Sequence, residues 1–292
     1  FLQQQMSYQK PEMDESEKVT VTDDALPVEP DGGIGDGAEP LDAIMDETKT
    51  VIGKSANGHD ITAYHFGSGE KELLFVGGIH AGYSWNTVLV AYELIDYLDQ
   101  PNVIPEGVKV TVIPTLNPDG QLTSVGTTGQ FTAAAAPKNA TDAVEGRFNG
   151  NGVDLNRNFD CQWQTEGVWQ NKAVSGGTAA FSEPESAALR DYVAGHKPEA
   201  VVAYYAAAGG VYASTCNGAP AADTTALMNT YATAAGYPAH NEFDFYEVTG
   251  DMVNWFAKQG VPAISVLLTD HTGTEWTKNQ KGIDAMLKSY AR

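Results

Sequence analysis

The sequence has few basic residues, little cysteine and no long apolar run. Its 292 residues include 17 Lys and Arg against 38 Asp and Glu, which gives a formal net charge of −21. Nucleic acids and anionic membranes both require a basic face, so this charge argues against either partner. No stretch approaches the roughly 20 consecutive apolar residues of a membrane-spanning helix. We therefore predict no nucleic-acid partner and no membrane span.

Cysteine is limited to Cys161 and Cys216, and each lies beside a turn-rich segment. An even number of cysteines in an acidic chain that begins with Phe1 is typical of a secreted protein. We expect one disulfide between them, with two buried free thiols as the alternative. The predicted location is extracellular or periplasmic, with a signal peptide removed.

Residues 1–45 are acidic, contain Pro and Gly, and hold few large apolar side chains. Such a composition does not fold alone. Within it, residues 18–22 alternate in polarity and are suited to joining a sheet as an edge strand. The sequence predicts an extended N-terminal tail or arm over residues 1–45 and one domain over residues 46–292.

From residue 48 onward, segments typical of strands alternate with segments typical of helices. Residues 263–268 are apolar without alternation, which indicates a strand buried on both faces of its sheet. Ser182 and Glu185 have the spacing of a capping box and predict a helix with Ser182 as its N-cap. The pattern as a whole predicts an α/β domain in which a mixed, largely parallel sheet is sandwiched by helices.

Four segments, in order, resemble motifs of the zinc metallocarboxypeptidase family of the carboxypeptidase A type. They are GGIH at residues 77–80, LNPDG at 116–120, NGVDLNRNF at 151–159 and VPAISVL at 261–267. The third is the most specific match. The resemblance implies the family fold and, in active members, a zinc ion held by two histidines and a glutamate, with another glutamate as general base.

The resemblance places His80 at the first zinc-binding histidine. Three other catalytic positions hold different side chains: Tyr83 or Ser84, Tyr205, and Leu267. None of these supplies an imidazole or a carboxylate, and a single histidine does not hold zinc because zinc sites need three or four ligands. We expect a degenerate active site with no cofactor, and zinc only if this alignment is wrong.

The resemblance also implies a site for a terminal carboxylate, formed by Arg147, Asn156 and Arg157. Planar guanidinium groups fit two carboxylate oxygens. Tyr246 corresponds to the tyrosine that covers the substrate in the family. The alternative is structural, with Asp154 and Arg157 paired to each other or fixing the long loop.

Two other chemistries remain open. His80 and His271 with Asp270 or Asp251 would form a rebuilt metal site, although they lack a characteristic spacing. Ser84 beside His80 would pair a serine nucleophile with a base, although no orienting acid is identifiable.

Three functions are compatible with these features. The preferred one is a non-catalytic, exported structural subunit that self-assembles into homo-oligomers through residues 1–45, with an arm folded onto its own domain as the alternative. The second is a binding module for peptide C-termini. The third is a zinc metallocarboxypeptidase that cleaves C-terminal residues, either through ligands aligned differently or in a deliberately inactivated form. Loss of three of four catalytic side chains favours a protein that is not an enzyme.

Overall fold

The structure is a computed structural model that describes residues 48–138 and 143–291. The predicted arm at residues 1–45, including the possible edge strand at 18–22, lies outside the described residues. The domain boundary and self-assembly through the arm therefore stay predictions.

Strands and helices alternate along the described part of the chain. The strands are β1 (Lys49–Lys54), β2 (Asp60–Phe66), β3 (Lys71–Val76), β4 (Val108–Ile113), β5 (Glu166–Trp169), β6 (Lys172–Ser175), β7 (Ala200–Ala206), β8 (Gly210–Ala213), β9 (Ala239–His240) and β10 (Ala263–Leu268). The helices are α1 (Asn86–Leu98), α2 (Pro118–Val125), α3 (Pro184–His196), α4 (Ala222–Ala235), α5 (Met252–Lys258) and α6 (Trp276–Tyr290). None of the helices in these ranges is long and apolar enough to cross a membrane.

Eight strands form one sheet in the order β1-β2-β4-β3-β7-β10-β8-β9, and β5 pairs with β6 in a separate hairpin. The central neighbours β4, β3, β7 and β10 run parallel, whereas β1, β2 and β8 join the sheet by antiparallel pairing. Buried side chains alternate between the two faces, since Phe75 packs with α1, α4 and α6 while Leu74 packs with α3 and α5. The predicted mixed, largely parallel sheet between helices is confirmed.

One helix start differs from the prediction. Helix α3 has Glu183 at its N-cap and Pro184 in its first turn, so the prediction that Ser182 caps it was wrong. The Ser182 hydroxyl instead donates to Glu183 and accepts from a loop amide. Helix α2 lies at the LNPDG motif. It begins because Pro118 suits the first helical position and the Asn117 side chain accepts from the amide of Gly120 at 2.8 Å.

The predicted disulfide is confirmed, since Cys161 and Cys216 are bonded with their Cα atoms 5.7 Å apart. It joins the loop after the 151–159 motif to the loop after β8. The neighbouring side chains Gln162 and Thr215 both line a cavity at the carboxyl edge of the sheet. The bond therefore fixes two loops that border this cavity.

Candidate functional site

A cavity of about 770 Å³ lies at the carboxyl ends of β7 and β10. Open α/β sheets place ligand sites at this edge because the loops that follow the strands converge there. The wall contains most of the site residues predicted from the sequence: His80, Tyr83, Arg147, Asn156, Tyr205, Tyr246, Asp251, Leu267 and His271. Ser84 and Arg157 are buried and do not line it.

His80, Asp154 and Arg147 form a buried network at the cavity wall. The Asp154 carboxylate accepts from His80 Nε2 at 2.8 Å through one oxygen, and from Arg147 Nε and Nη2 at 3.0 and 2.8 Å through the other. Arg147 Nη1 lies 3.3 Å from His80 Nδ1. A guanidinium only donates, so Nδ1 accepts and the ring proton sits on Nε2. Both ring nitrogens of His80 are thus engaged by protein groups.

The charges of this network are fixed at neutral pH. Burial and the nearby Arg147 guanidinium lower the pKa of His80 to about 4, so the imidazole is neutral. Burial alone would raise the pKa of Asp154, but Arg147 and His80 hold it far below its ordinary value. The network therefore contains one buried ion pair and one neutral histidine.

The side chains around His80 do not fit a zinc ion. The Tyr205 hydroxyl donates to Asn156 Oδ1 at 3.1 Å, and burial raises the pKa of Tyr205 well above its ordinary value, so it keeps its proton. Tyr83 and Leu267 supply no carboxylate. Among residues 48–138 and 143–291, no group of three or more His, Cys, Asp and Glu could hold a metal ion. Zinc requires three or four such ligands.

The two alternative chemistries are not assembled as predicted. Ser84 Oγ lies 3.4 Å from Nδ1 of His271, whereas both nitrogens of His80 contact other groups, so the structure does not pair Ser84 with His80. Asp270 accepts from amides of its own turn, and Asp251 caps α5. The proposed histidine and aspartate ligands therefore do not form a metal site.

Two of the predicted carboxylate-binding residues are engaged by acidic side chains of the chain itself. Arg147 makes its paired hydrogen bonds to Asp154. Asn156 Nδ2 donates to Asp251 Oδ2 at 2.8 Å. Of the structural alternative, the pairing of Asp154 with Arg157 is wrong, because Asp154 pairs with Arg147, whereas Arg157 does bind the long loop through the carbonyl of Val168.

Arg157 lies behind the cavity wall and is only 1% exposed. Its Nη2 donates to the carbonyl of Val168 in the β5–β6 hairpin at 3.1 Å, and its guanidinium lies 5.7 Å from the centre of the Tyr246 ring. Its Nε has no hydrogen-bond partner among the described residues. Tyr246 thus lies over Arg157, a buried cation whose Nε–H has no partner among the described residues.

Sequence reasoning missed the role of the β5–β6 hairpin. The Trp169 ring lies 4.3 Å from the Arg147 guanidinium carbon and packs edge-on against Tyr83, with ring centres 5.0 Å apart. Both hairpin strands have four residues and are largely exposed. Two tryptophans in one long loop, Trp163 and Trp169, were the sequence signal that this loop packs against other parts of the chain.

Fold and site together define a carboxypeptidase-like α/β domain with a strand-end cavity and without a metal-ligand set in the described residues. The model of the family described as zinc carboxypeptidase matches residues 44–288, so the chain belongs to the zinc carboxypeptidase family. This confirms the resemblance inferred from the four motifs. No curated protein matches the sequence.

Solved structures agree on the fold. Carboxypeptidase A from Helicoverpa armigera has a TM-score of 0.65 at 21% identity, with 84% of this chain and 68% of that chain covered. The murein-tripeptide amidase MpaA from Escherichia coli O157 has a TM-score of 0.59 at 20% identity, with coverage of 84% and 92%. Bovine thrombin-activatable fibrinolysis inhibitor, in complex with tick carboxypeptidase inhibitor, has a TM-score of 0.61 at 17% identity, with coverage of 83% and 88%. Identities this low show the fold alone.

Proposed function

We propose that this chain is a non-catalytic member of its family that binds a peptide-like ligand in the strand-end cavity without cleaving it. The observation that carries the proposal is the engagement of His80. Its Nε2 donates to Asp154, and the Arg147 guanidinium lies 3.3 Å from Nδ1, the nitrogen that a metal would have to use. The arginine contributes positive charge beside the imidazole, which further disfavours a bound cation.

The remaining catalytic positions support the same proposal. Leu267 is apolar and only 7% exposed, so it takes no proton from water. Tyr205 keeps its proton and donates it to Asn156. The residues at these two positions therefore offer neither activation of water nor a general base.

The cavity supports ligand binding. Its volume of about 770 Å³ falls within the range of small-molecule and peptide sites, roughly 300–1,000 Å³. Its wall combines aromatic rings with a few buried polar groups, the composition that gives such sites affinity and orientation. We therefore place the ligand here.

A peptide's terminal carboxylate is the ligand group predicted from the sequence, and one observation favours it. The Nε–H of Arg157, behind Tyr246, has no hydrogen-bond partner among the described residues and could donate to a carboxylate. Asn156 is less available, because its Nδ2 already donates to Asp251. A carboxylate that reached Arg157 would displace Tyr246 or the β5–β6 hairpin. Comparison of free and amidated C-termini tests this second candidate.

We also propose an extracellular or periplasmic location, which the disulfide supports because such bonds persist in oxidising compartments. Self-assembly through residues 1–45 remains a proposal from the sequence alone. Removal of those residues followed by measurement of molar mass in solution tests it.

Binding without turnover is tested with a panel of short synthetic peptides that differ in their last residue, each with a free and an amidated C-terminus. Calorimetry reports binding, and mass spectrometry reports peptide length after incubation with added zinc. We expect saturable binding and no shortened product. Peptides that lose their last residue would contradict the proposal, and a panel that does not bind would remove its ligand-binding half.

A further inference from the structure

We infer that residues 241–248, together with Tyr212 of β8, form an aromatic and acidic cage at the cavity that binds a positively charged side chain of the ligand. The inference rests on the proposed function and specifies its ligand. The cage consists of the rings of Tyr212, Phe243, Phe245 and Tyr246 and the carboxylates of Glu242 and Glu247.

The four rings of the cage are contiguous. Phe243 lies at the centre, with ring centres 5.5 Å from Tyr212, 5.1 Å from Phe245 and 4.9 Å from Tyr246. All four line the cavity. Phe245 is 63% exposed and Tyr246 48% exposed, which is unusual for large rings that serve only to fill a core. Ring surface is therefore available to a ligand.

Acidic groups line the same cavity as these rings. Glu242 and Glu247 flank the aromatic residues in sequence and line the same cavity, as does Asp251. No ion pair among the described residues involves Glu242 or Glu247. The one arginine of the cavity wall, Arg147, is already paired with Asp154. The free charge on the cavity wall is therefore negative.

Aromatic faces and unpaired carboxylates attract the same kind of ligand group. The negative face of a ring stabilises an ammonium or guanidinium through the ring quadrupole, and a neighbouring carboxylate adds direct attraction. A neutral apolar side chain gains ring contact but leaves Glu242 and Glu247 without a partner. An acidic side chain is repelled by both.

The buried Arg157 does not oppose this assignment. It lies against Tyr246 from the protein interior and is 1% exposed, whereas the cage carboxylates are on the solvent side. Burial raises the pKa of Asp251, whose carboxylate also lines the cavity and accepts from Asn156. A positive ligand group that enters from solvent therefore meets the exposed rings and carboxylates of the cage, whereas Arg157 is buried.

The test compares peptides of one backbone that end in lysine, in norleucine or in glutamate, so that the first two match in length and differ in charge. Calorimetry at low and at physiological ionic strength measures their affinities for the whole chain. We expect the lysine peptide to bind about tenfold more tightly than the norleucine peptide. We expect added salt to reduce this difference.

Variants assign the preference to the cage. Combining Glu242→Gln with Glu247→Gln should abolish most of the tenfold preference while norleucine binding persists. Phe245→Ala should weaken lysine binding. Phe245 is exposed, so its truncation leaves the core intact, and circular dichroism checks the fold. Glu106→Gln, an exposed acid outside the cavity wall, is the matched control and should change nothing.

Equal binding of the lysine and norleucine peptides would overturn the cage and leave binding without cleavage intact. Preference for lysine that survives both glutamine substitutions would also overturn it. Cleavage of any peptide would instead contradict the proposed function, so the two failures are distinguishable.

Discussion

We expect Asp154→Ala to lower the free energy of unfolding by about 3–5 kcal/mol, the cost of breaking a buried ion pair from one side. Asp154 is fully buried and is the acceptor for both Arg147 and His80. Its removal leaves a buried guanidinium without a counter-charge and a ring N–H without an acceptor. Urea unfolding at neutral pH, followed by tryptophan fluorescence, measures the loss.

Asp160→Asn is the matched control, because it removes a carboxylate six residues further along the chain. Asp160 pairs with Lys258, and both side chains are about half exposed, with relative exposures of 50% and 44%. Exposed ion pairs contribute about 0–1 kcal/mol. Equal losses in the two variants would contradict a dominant role for the buried network.

We expect the free energy of unfolding to fall by about 3 kcal/mol between pH 6.5 and pH 4 because of the lowered pKa of His80. Its pKa is about 4 in the folded chain, below the ordinary value of 6.5. Between these values the unfolded chain binds a proton that the folded chain does not, so stability rises with pH. The contribution is therefore fully present above pH 6.5 and is lost on acidification.

Other groups also titrate, so the prediction is a comparison between variants. Lowered pKa values of His65 and His271 act in the same direction, whereas the raised pKa values of Asp251 and Glu185 act in the opposite direction. Unfolding measured at several pH values should show a smaller acid-induced loss in His80→Gln than in the unaltered chain. Identical pH dependence in both would show that His80 is not a buried neutral histidine.

The sequence predicted the buried strand β10 well. Residues 263–268 were predicted as a strand and are one, because β-branched and apolar residues fit a buried sheet regardless of other contacts. The β5–β6 hairpin escaped because its short, exposed strands are held by tertiary contacts, chiefly those of Val168 and Trp169 with the two arginines. No local pattern encodes such contacts.

The candidate site was predicted residue by residue but not in its pairings. The positions of His80 and Arg147 in the cavity wall follow from the motifs. The assignment of the Asp154 ion pair to Arg147 required three-dimensional geometry, because Arg157 is closer to Asp154 in sequence. The cage at residues 241–248 was not predicted from the sequence for a similar reason. Alternating acids and aromatic residues in a loop indicate a site only once they share a cavity.

Zinc content shows directly whether this chain holds a metal ion at His80. The chain, purified without chelators and then equilibrated with zinc, would be analysed for zinc per chain by elemental analysis, with His80→Gln treated in parallel. We predict no stoichiometric zinc in either protein. Both nitrogens of His80 contact protein groups, and Tyr83, Tyr205 and Leu267 supply no imidazole or carboxylate. One zinc per chain that disappears in His80→Gln would contradict it.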